Sequence, residues 1–125
     1  MFEVTVAPAQ KVLDCTPLRD PNAYAALVRE IGEDGACEVR AVFWSETCAR
    51  LQLFRTLSRE PHHARMVREA HSLKSAAGTF GYARLAALAL QLETSSETLH
   101  DTELHGLLDL MDAAYAEARA QEPEG

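Results

Sequence analysis

The sequence of residues 70–82 is AHSLKSAAGTFGY, which predicts the end of one helix, a tight turn and the start of the next helix. In a helix, apolar side chains that recur at alternating steps of four and three residues form one buried stripe. This stripe consists of Met66, Ala70, Leu73, Ala77 and Phe80. His71 lies just off the stripe, where its helical neighbours are two cations, a hydroxyl and a glycine. These neighbours are Arg68, Lys74, Ser75 and Gly78. An exposed imidazole in such surroundings indicates a surface that meets an anionic group.

The same turn predicts that a carboxylate lies beside this histidine. His71 is nine residues before Phe80, and Glu93 is eleven residues after Tyr82. At ~1.5 Å rise per residue, these offsets are roughly 13 and 16 Å, so antiparallel helices bring His71 and Glu93 to nearly the same level. A carboxylate in this place can accept the Nδ1 hydrogen of the imidazole. That contact selects one tautomer and makes the free Nε2 more basic.

These residues resemble a known family. The pattern His-x-x-Lys, a glycine seven residues after the histidine and a leucine-rich helix ending in Leu92-Glu93 is similar to the histidine-containing phosphotransfer (HPt) domain. Residues 70–82 are especially similar to the phosphotransfer domain of chemotaxis-type histidine kinases, which carry a glutamate at the same spacing from the histidine. The motif-level resemblance covers residues 65–93, and a looser helical pattern covers about 22–120. One position departs from the family, because residue 75 is Ser where Gly is usual.

The resemblance implies a phosphocarrier in which Nε2 of His71 accepts a phosphoryl group in line. Lys74 would offer its positive charge to the phosphoryl oxygens, and Arg68 would assist it. Gly78 removes side-chain bulk beside the histidine, so that the acidic loop of a receiver domain can approach. We therefore expect His71, Lys74 and Glu93 to be the catalytic residues. The expected docking residues are Arg68, Ser75, Gly78 and Gly81.

The resemblance also implies the partners, which are a response-regulator receiver domain and a sensor histidine kinase. The carrier would relay the phosphoryl group between the kinase, or its receiver domain, and a receiver aspartate. No cofactor is expected on this chain, and Mg²⁺ is expected on the partner receiver domain only. No ATP-binding motif is visible, so we do not expect an ATP-dependent kinase. The alternative is an adaptor that docks receiver or kinase domains without phosphate turnover; the intact His71 and Lys74 favour the carrier.

A metal site is a competing interpretation of the histidines. His62, His63 and His71 could be imagined as a ligand cluster. However, adjacent histidines point to different faces of a helix, and no Cys or carboxylate completes a plausible ligand set. We therefore expect no metal.

Composition narrows the class of protein further. The net charge of −7 argues against a nucleic-acid partner, although residues 59–84 carry five cations against two carboxylates and form a locally positive segment.

Three cysteines without paired spacing, and no export signal at the N-terminus, predict reduced thiols in a cytoplasmic protein. No apolar run approaches the ~20 residues that span a bilayer, so no membrane partner is expected. A chain of 125 residues suits one domain, and one complete bundle predicts a monomer.

The expected fold is all-α: an up-down-up-down four-helix bundle with an additional short N-terminal helix. We expect an N-terminal arm over residues 1–19, the bundle over 20–121 and a frayed C-terminus over 122–125. Asp20-Pro21 is a helix-start signal, and the glycines at 32 and 35 break this first helix before a long second one. The predicted apolar face of the long helix comprises Val39, Val42, Phe43, Leu53, Phe54 and Leu57.

The later helices are predicted from similar signals. Pro61 suits the first turn of the helix that carries His71, and Asp101 can cap the last helix. Between these two helices, a leucine stripe predicts the partner helix of the hairpin. Its members are Leu85, Leu88 and Leu92.

Overall fold

Four α-helices account for most of the part of the chain that the structure, a computed structural model, describes: residues 12–13, 15–58 and 63–122. They are α1 (Pro21–Leu57), α2 (His63–Phe80), α3 (Ala83–Ser95) and α4 (Asp101–Gln121). Each helix contacts the next one along the chain, and α4 returns to α1, so the four close into a bundle. The predicted all-α four-helix bundle is therefore confirmed. None of the described helices is both long and apolar enough to cross a membrane.

Helix α1 begins as predicted and bends at a glycine. The Asp20 side chain accepts the N–H of Asn22 at 3.0 Å, and Pro21 is the first helical residue. Gly32 has φ 84° and ψ 164°, which interrupts the helical backbone in a region that glycine adopts easily. The predicted short N-terminal helix is thus the part of α1 before Gly32, and the long helix is the part after it.

The buried face of α1 differs from the prediction. Val39 and Val42 are 42% and 55% exposed, so their assignment to the core was wrong. The prediction counted apolar residues alone, whereas Arg40 and Thr47 occupy buried positions and rotate the core-facing stripe away from the valines. The buried residues of α1 are Ala36, Arg40, Phe43, Trp44, Thr47, Leu51, Phe54 and Leu57.

Helices α2 and α3 pack through the predicted stripes. The α2 stripe from Met66 to Phe80 and the three leucines of α3 are all buried. At the turn end of this hairpin, the Phe43 ring lies 5.1 Å from the Phe80 ring and 5.3 Å from the Tyr82 ring. Such aromatic pairs contribute about 0.5–1.5 kcal/mol each beyond their buried area. They hold the α2–α3 hairpin against α1, and the hairpin carries the site described below.

The turn between α2 and α3 depends on Gly81, which has φ 84°. The Tyr82 N–H donates to the Ala77 carbonyl at 2.9 Å, and the Gly81 N–H donates to the Gly78 carbonyl at 3.1 Å. This pair of bonds is the Schellman arrangement, which ends a helix on a left-handed residue. Asp20 crosses the turn and donates its N–H to the Gly81 carbonyl at 2.6 Å.

The helix starts predicted at Pro61 and Asp101 have different outcomes. Pro61 and His62 lie outside the described residues. Helix α4 begins at Asp101, but its N-cap is His100, whose N–H donates to the Glu103 carboxylate at 3.1 Å; the prediction that Asp101 caps this helix was wrong.

The two ends of the described chain are held by contacts to the bundle. The Arg84 N–H donates to the Leu18 carbonyl at 3.4 Å, so the last residues of the predicted arm contact α3. The Glu122 side chain is only 6% exposed and forms ion pairs, which corrects the prediction that fraying begins at residue 122. The domain boundaries themselves stay predictions.

Candidate functional site

His71 on α2 and Glu93 on α3 face each other at one level of the hairpin. Nδ1 of His71 lies 2.7 Å from Oε2 of Glu93, which confirms the contact predicted from their offsets to the turn. Because an ionised carboxylate can only accept, this contact favours the tautomer with hydrogen on Nδ1. The His71 side chain is 59% exposed, and Nε2 forms no hydrogen bond within the described residues. The arrangement presents a basic, unoccupied nitrogen to solvent.

The other oxygen of the same carboxylate holds a cation. Nζ of Lys74 donates to Oε1 of Glu93 at 2.7 Å. The hydrogen bond from Lys74 is the main cause of a lowered Glu93 pKa; the His71 contact lowers it too, while partial burial acts in the opposite direction. The carboxylate therefore remains ionised near neutral pH. Lys74 was predicted to face phosphoryl oxygens, and in this structure its ammonium lies on Glu93 instead.

Three predicted docking residues lie on the exposed strip of α2 beside His71. Arg68, Ser75 and Gly78 are all exposed. A Cβ added at Gly78 would meet nothing within 4 Å, so the space beside the histidine is open. The Arg68 side chain forms no hydrogen bond or ion pair with any residue of the described ranges, which leaves its charge available at the surface.

Gly81 is a correction to the predicted docking set. It is buried, and a Cβ at this position would overlap the carbonyl oxygen of Asp20. Its positive φ belongs to the turn that ends α2, and the segment around Asp20 covers it. Gly81 therefore shapes the hairpin and is not part of an exposed surface.

Exposed apolar side chains lie on α1 and α3, and the sequence interpretation missed them. Val39 and Val42 on α1 border a groove of about 240 Å³ against α2, which Ala76 and Phe80 also line. On α3, Leu90 is 41% exposed and lies three residues before Glu93, on the same helix face. The exposure of the two valines could have been predicted, because the alternative α1 stripe through Ala36, Phe43 and Phe54 has the same helical period.

The competing metal interpretation finds no support in the described residues. Within residues 12–13, 15–58 and 63–122, no group of three or more His, Cys, Asp or Glu side chains is placed to hold a metal ion. His63 is exposed at the start of α2, eight residues from His71. His62 lies outside these ranges.

An exposed histidine on one helix, oriented by a carboxylate of the next helix on the face of a four-helix bundle, is the arrangement of a histidine phosphotransfer module. The family model described as "Hpt domain" matches residues 38–120, about two thirds of the chain, and this range includes both His71 and Glu93. The chain therefore belongs to the HPt domain family, whose members carry phosphoryl groups on a histidine in phosphorelays. No curated protein and no solved structure gave a significant match.

Proposed function

We propose that this protein is a phosphocarrier that takes a phosphoryl group onto Nε2 of His71 and delivers it to the aspartate of a response-regulator receiver domain. The donor is a sensor histidine kinase or its receiver domain, and the carrier acts in the cytoplasm as a monomer. One observation supports this function most strongly: the His71 ring is bound at Nδ1 by Glu93, at 2.7 Å, and is otherwise largely exposed. A histidine held in one tautomer with a free second nitrogen is suited to nucleophilic attack.

The transfer step needs few protein groups. The Nε2 lone pair attacks phosphorus, and the bond from phosphorus to the donor aspartate oxygen breaks, with its electron pair returning to that carboxylate. The Nδ1 hydrogen stays on the imidazole, where Glu93 stabilises the positive charge that the ring gains. Phosphoryl transfer depends chiefly on positioning and charge neutralisation. Mg²⁺ on the partner receiver domain supplies part of that neutralisation.

Lys74 supplies the remaining charge in this proposal. Its ammonium is a mobile point charge on a flexible stem, and the side chain is 30% exposed. From its position on Glu93, one helical turn after His71, Lys74 can move to the oxygens of an arriving phosphoryl group. The Glu93 carboxylate then contacts only the His71 imidazole, and it does so when the ring becomes positively charged.

The docking surface proposed for the receiver domain surrounds His71. The small residues Ser75 and Gly78 let a partner come close to His71. Arg68 adds a positive charge that suits an acidic phosphorylation pocket. Val39 and Val42 provide an exposed apolar rim, which fits a partner whose acidic pocket is bordered by apolar side chains.

Phosphate labelling tests the acceptor. Wild-type protein should acquire an acid-labile phosphoryl group from its kinase, and His71→Gln should acquire none while keeping its helical circular dichroism spectrum. His63→Gln is the matched control and should label normally, since His63 is also exposed on α2. Label that persists in His71→Gln would assign the acceptor to another residue. Wild-type protein that binds receivers but never labels would be the non-catalytic adaptor.

A pair of glycine substitutions tests the docking surface. Gly78 and Gly106 both have open space where a Cβ would lie, but only Gly78 is beside His71. Gly78→Phe should weaken receiver binding at least about tenfold, whereas Gly106→Phe on α4 should leave it unchanged. Calorimetric titration with the cognate receiver measures both. Equal affinities for the two variants would place the interface elsewhere on the bundle.

A further inference from the structure

A second carboxylate, far from His71 in the chain, is surrounded by donors at the turn end of the hairpin. Oε1 of Glu122 forms an ion pair with Nη2 of Arg19 at 3.0 Å and accepts from the Tyr82 hydroxyl at 2.9 Å. Oε2 of Glu122 accepts from Nη1 of Arg40 at 2.8 Å. Both oxygens are therefore engaged by three donors from three separate segments: the lead into α1, α1 itself and the α2–α3 turn.

These donors are held in place by contacts that do not involve Glu122. The Arg40 guanidinium stacks over the Tyr24 ring at 4.8 Å from its centroid. The Tyr82 ring packs against Phe43 and Trp44, at 5.3 and 4.8 Å between centroids. Backbone hydrogen bonds from Asp20 and Arg84 fasten the lead segment that carries Arg19. The pocket is thus built by the bundle, and Glu122, the residue that follows α4, fills it.

The pocket requires an anion. The side chains of Arg40 and Glu122 are 10% and 6% exposed, and Arg19 is 28% exposed. A guanidinium with as little access to water as that of Arg40 is costly to leave unpaired. Burial, followed by the hydrogen bond to Glu122, raises the Tyr82 pKa, so this residue stays a neutral donor. Nε of Arg19 is also buried without a hydrogen-bond partner in the described chain, which leaves one further donor at the site.

We propose that Arg19, Arg40 and Tyr82 form a carboxylate-binding site, and that Glu122 is a ligand bound to it from the same chain. The site fastens the end of α4 to the α2–α3 turn and to the lead into α1. Without the Glu122 carboxylate, the site is free for another carboxylate. This inference is independent of the proposed phosphotransfer, because none of its groups touches His71, Lys74 or Glu93.

Rescue by a small carboxylate tests the proposal in the full chain. Glu122→Gly removes the built-in ligand and leaves the donors. In 0.2 M sodium chloride at pH 7, the melting temperature of this variant should be roughly 10 °C below wild type. Replacing chloride by 0.2 M sodium acetate should then raise it by about 3 °C, as expected for a ligand with a Kd of roughly 50 mM. The wild-type melting temperature should not show this gain, since its site is filled.

Glu117→Gly is the matched control. The Glu117 carboxylate also forms an ion pair, with Oε2 at 3.3 Å from Nη1 of Arg84, but its side chain is 61% exposed. Acetate should stabilise this variant no more than it stabilises wild type, which removes general salt effects from the comparison. Equal melting temperatures of Glu122→Gly in the two salts would overturn the proposal. If Glu122→Gly is unfolded at 25 °C in chloride, recovery of helical signal in acetate supports the site, and no recovery overturns it.

Discussion

The two ends of the α2–α3 hairpin each hold a carboxylate between nitrogen donors, yet they differ in access to solvent. At the open end, Glu93 lies between His71 and Lys74, whose side chains are 59% and 30% exposed. At the turn end, Glu122 is 6% exposed and lies against Arg40, which is 10% exposed. The chemistry of the contacts is similar, and burial decides what each group can do.

Burial separates the proposed phosphotransfer site from a structural one. At the open end, solvent screens the charges, so the contacts contribute little to stability and can exchange partners, as the proposed phosphotransfer requires. At the turn end, the charges of Arg40 and Glu122 depend on each other, because water cannot replace either partner. Matched substitutions at the two ends test this difference.

The two glycines at positions 78 and 81 should respond oppositely to alanine. Gly81→Ala forces a side chain into a residue with φ 84° and against the Asp20 carbonyl, so we expect a loss of at least about 3 kcal/mol in the free energy of unfolding. Gly78→Ala meets open space in a helix and should stabilise by up to about 1 kcal/mol. Urea unfolding measures both; a loss at Gly78 similar to that at Gly81 would contradict the open surface.

Replacing each of the two glutamates by glutamine should also change the free energy of unfolding by different amounts. Glu122→Gln leaves Arg40 and Arg19 without a counter-charge, and we expect a loss of about 2–3 kcal/mol in the free energy of unfolding. Glu93→Gln should leave the urea midpoint close to that of wild type, since its partners remain hydrated. A large loss in Glu93→Gln, or none in Glu122→Gln, would show that burial does not separate the two ends.

Lys74 should affect transfer rather than folding. Lys74→Ala should slow phosphotransfer to the receiver roughly tenfold, the effect of losing one charge-assisted contact to the phosphoryl group. Lys74→Arg should restore the rate only in part, because a planar guanidinium cannot take the place of the ammonium. Arg65→Ala, exposed on the same helix, is the control and should transfer normally. Rapid-quench measurements give the rates; unchanged rates in both Lys74 variants would remove Lys74 from the step.

The titration of Glu93 should depend on its contact with Lys74. The Lys74 hydrogen bond lowers the Glu93 pKa below its ordinary value of 4.5, and His71 adds to this. A lowered native pKa means that the contribution to stability is fully present above the ordinary value and is lost as pH falls through the native one. In carboxyl-carbon NMR titrations, Lys74→Ala should shift the Glu93 midpoint upwards. Equal midpoints in wild type and variant would mean that the Lys74–Glu93 contact is absent in solution.

The orienting role of Glu93 can be followed at the imidazole. In wild type, nitrogen NMR should report one dominant His71 tautomer, with hydrogen on Nδ1, because the carboxylate accepts there. In Glu93→Gln the amide oxygen accepts more weakly, so the second tautomer should become visible and phosphorylation should slow. Identical tautomer populations in the two proteins would show that His71 acts without an orienting carboxylate.

The hairpin and the pairing across it could be predicted from the sequence alone. The apolar stripe of α2 follows from helical period, and the His71–Glu93 contact follows from equal rise along two helices that share one turn. Both depend on residues close in the chain, where the geometry of one helix, or of two helices joined by one turn, leaves few alternatives.

Three features depend on tertiary packing: which way α1 faces, what covers the turn, and where residues at the two ends of the described ranges are held. Val39 and Val42 are exposed because the bundle buries Arg40 and Thr47 instead. Gly81 is buried because the segment around Asp20 crosses it. Arg40 and Glu122 pair across 82 positions in the chain. Helical periodicity cannot predict such contacts, because they depend on how distant segments are placed by the packing of the whole core.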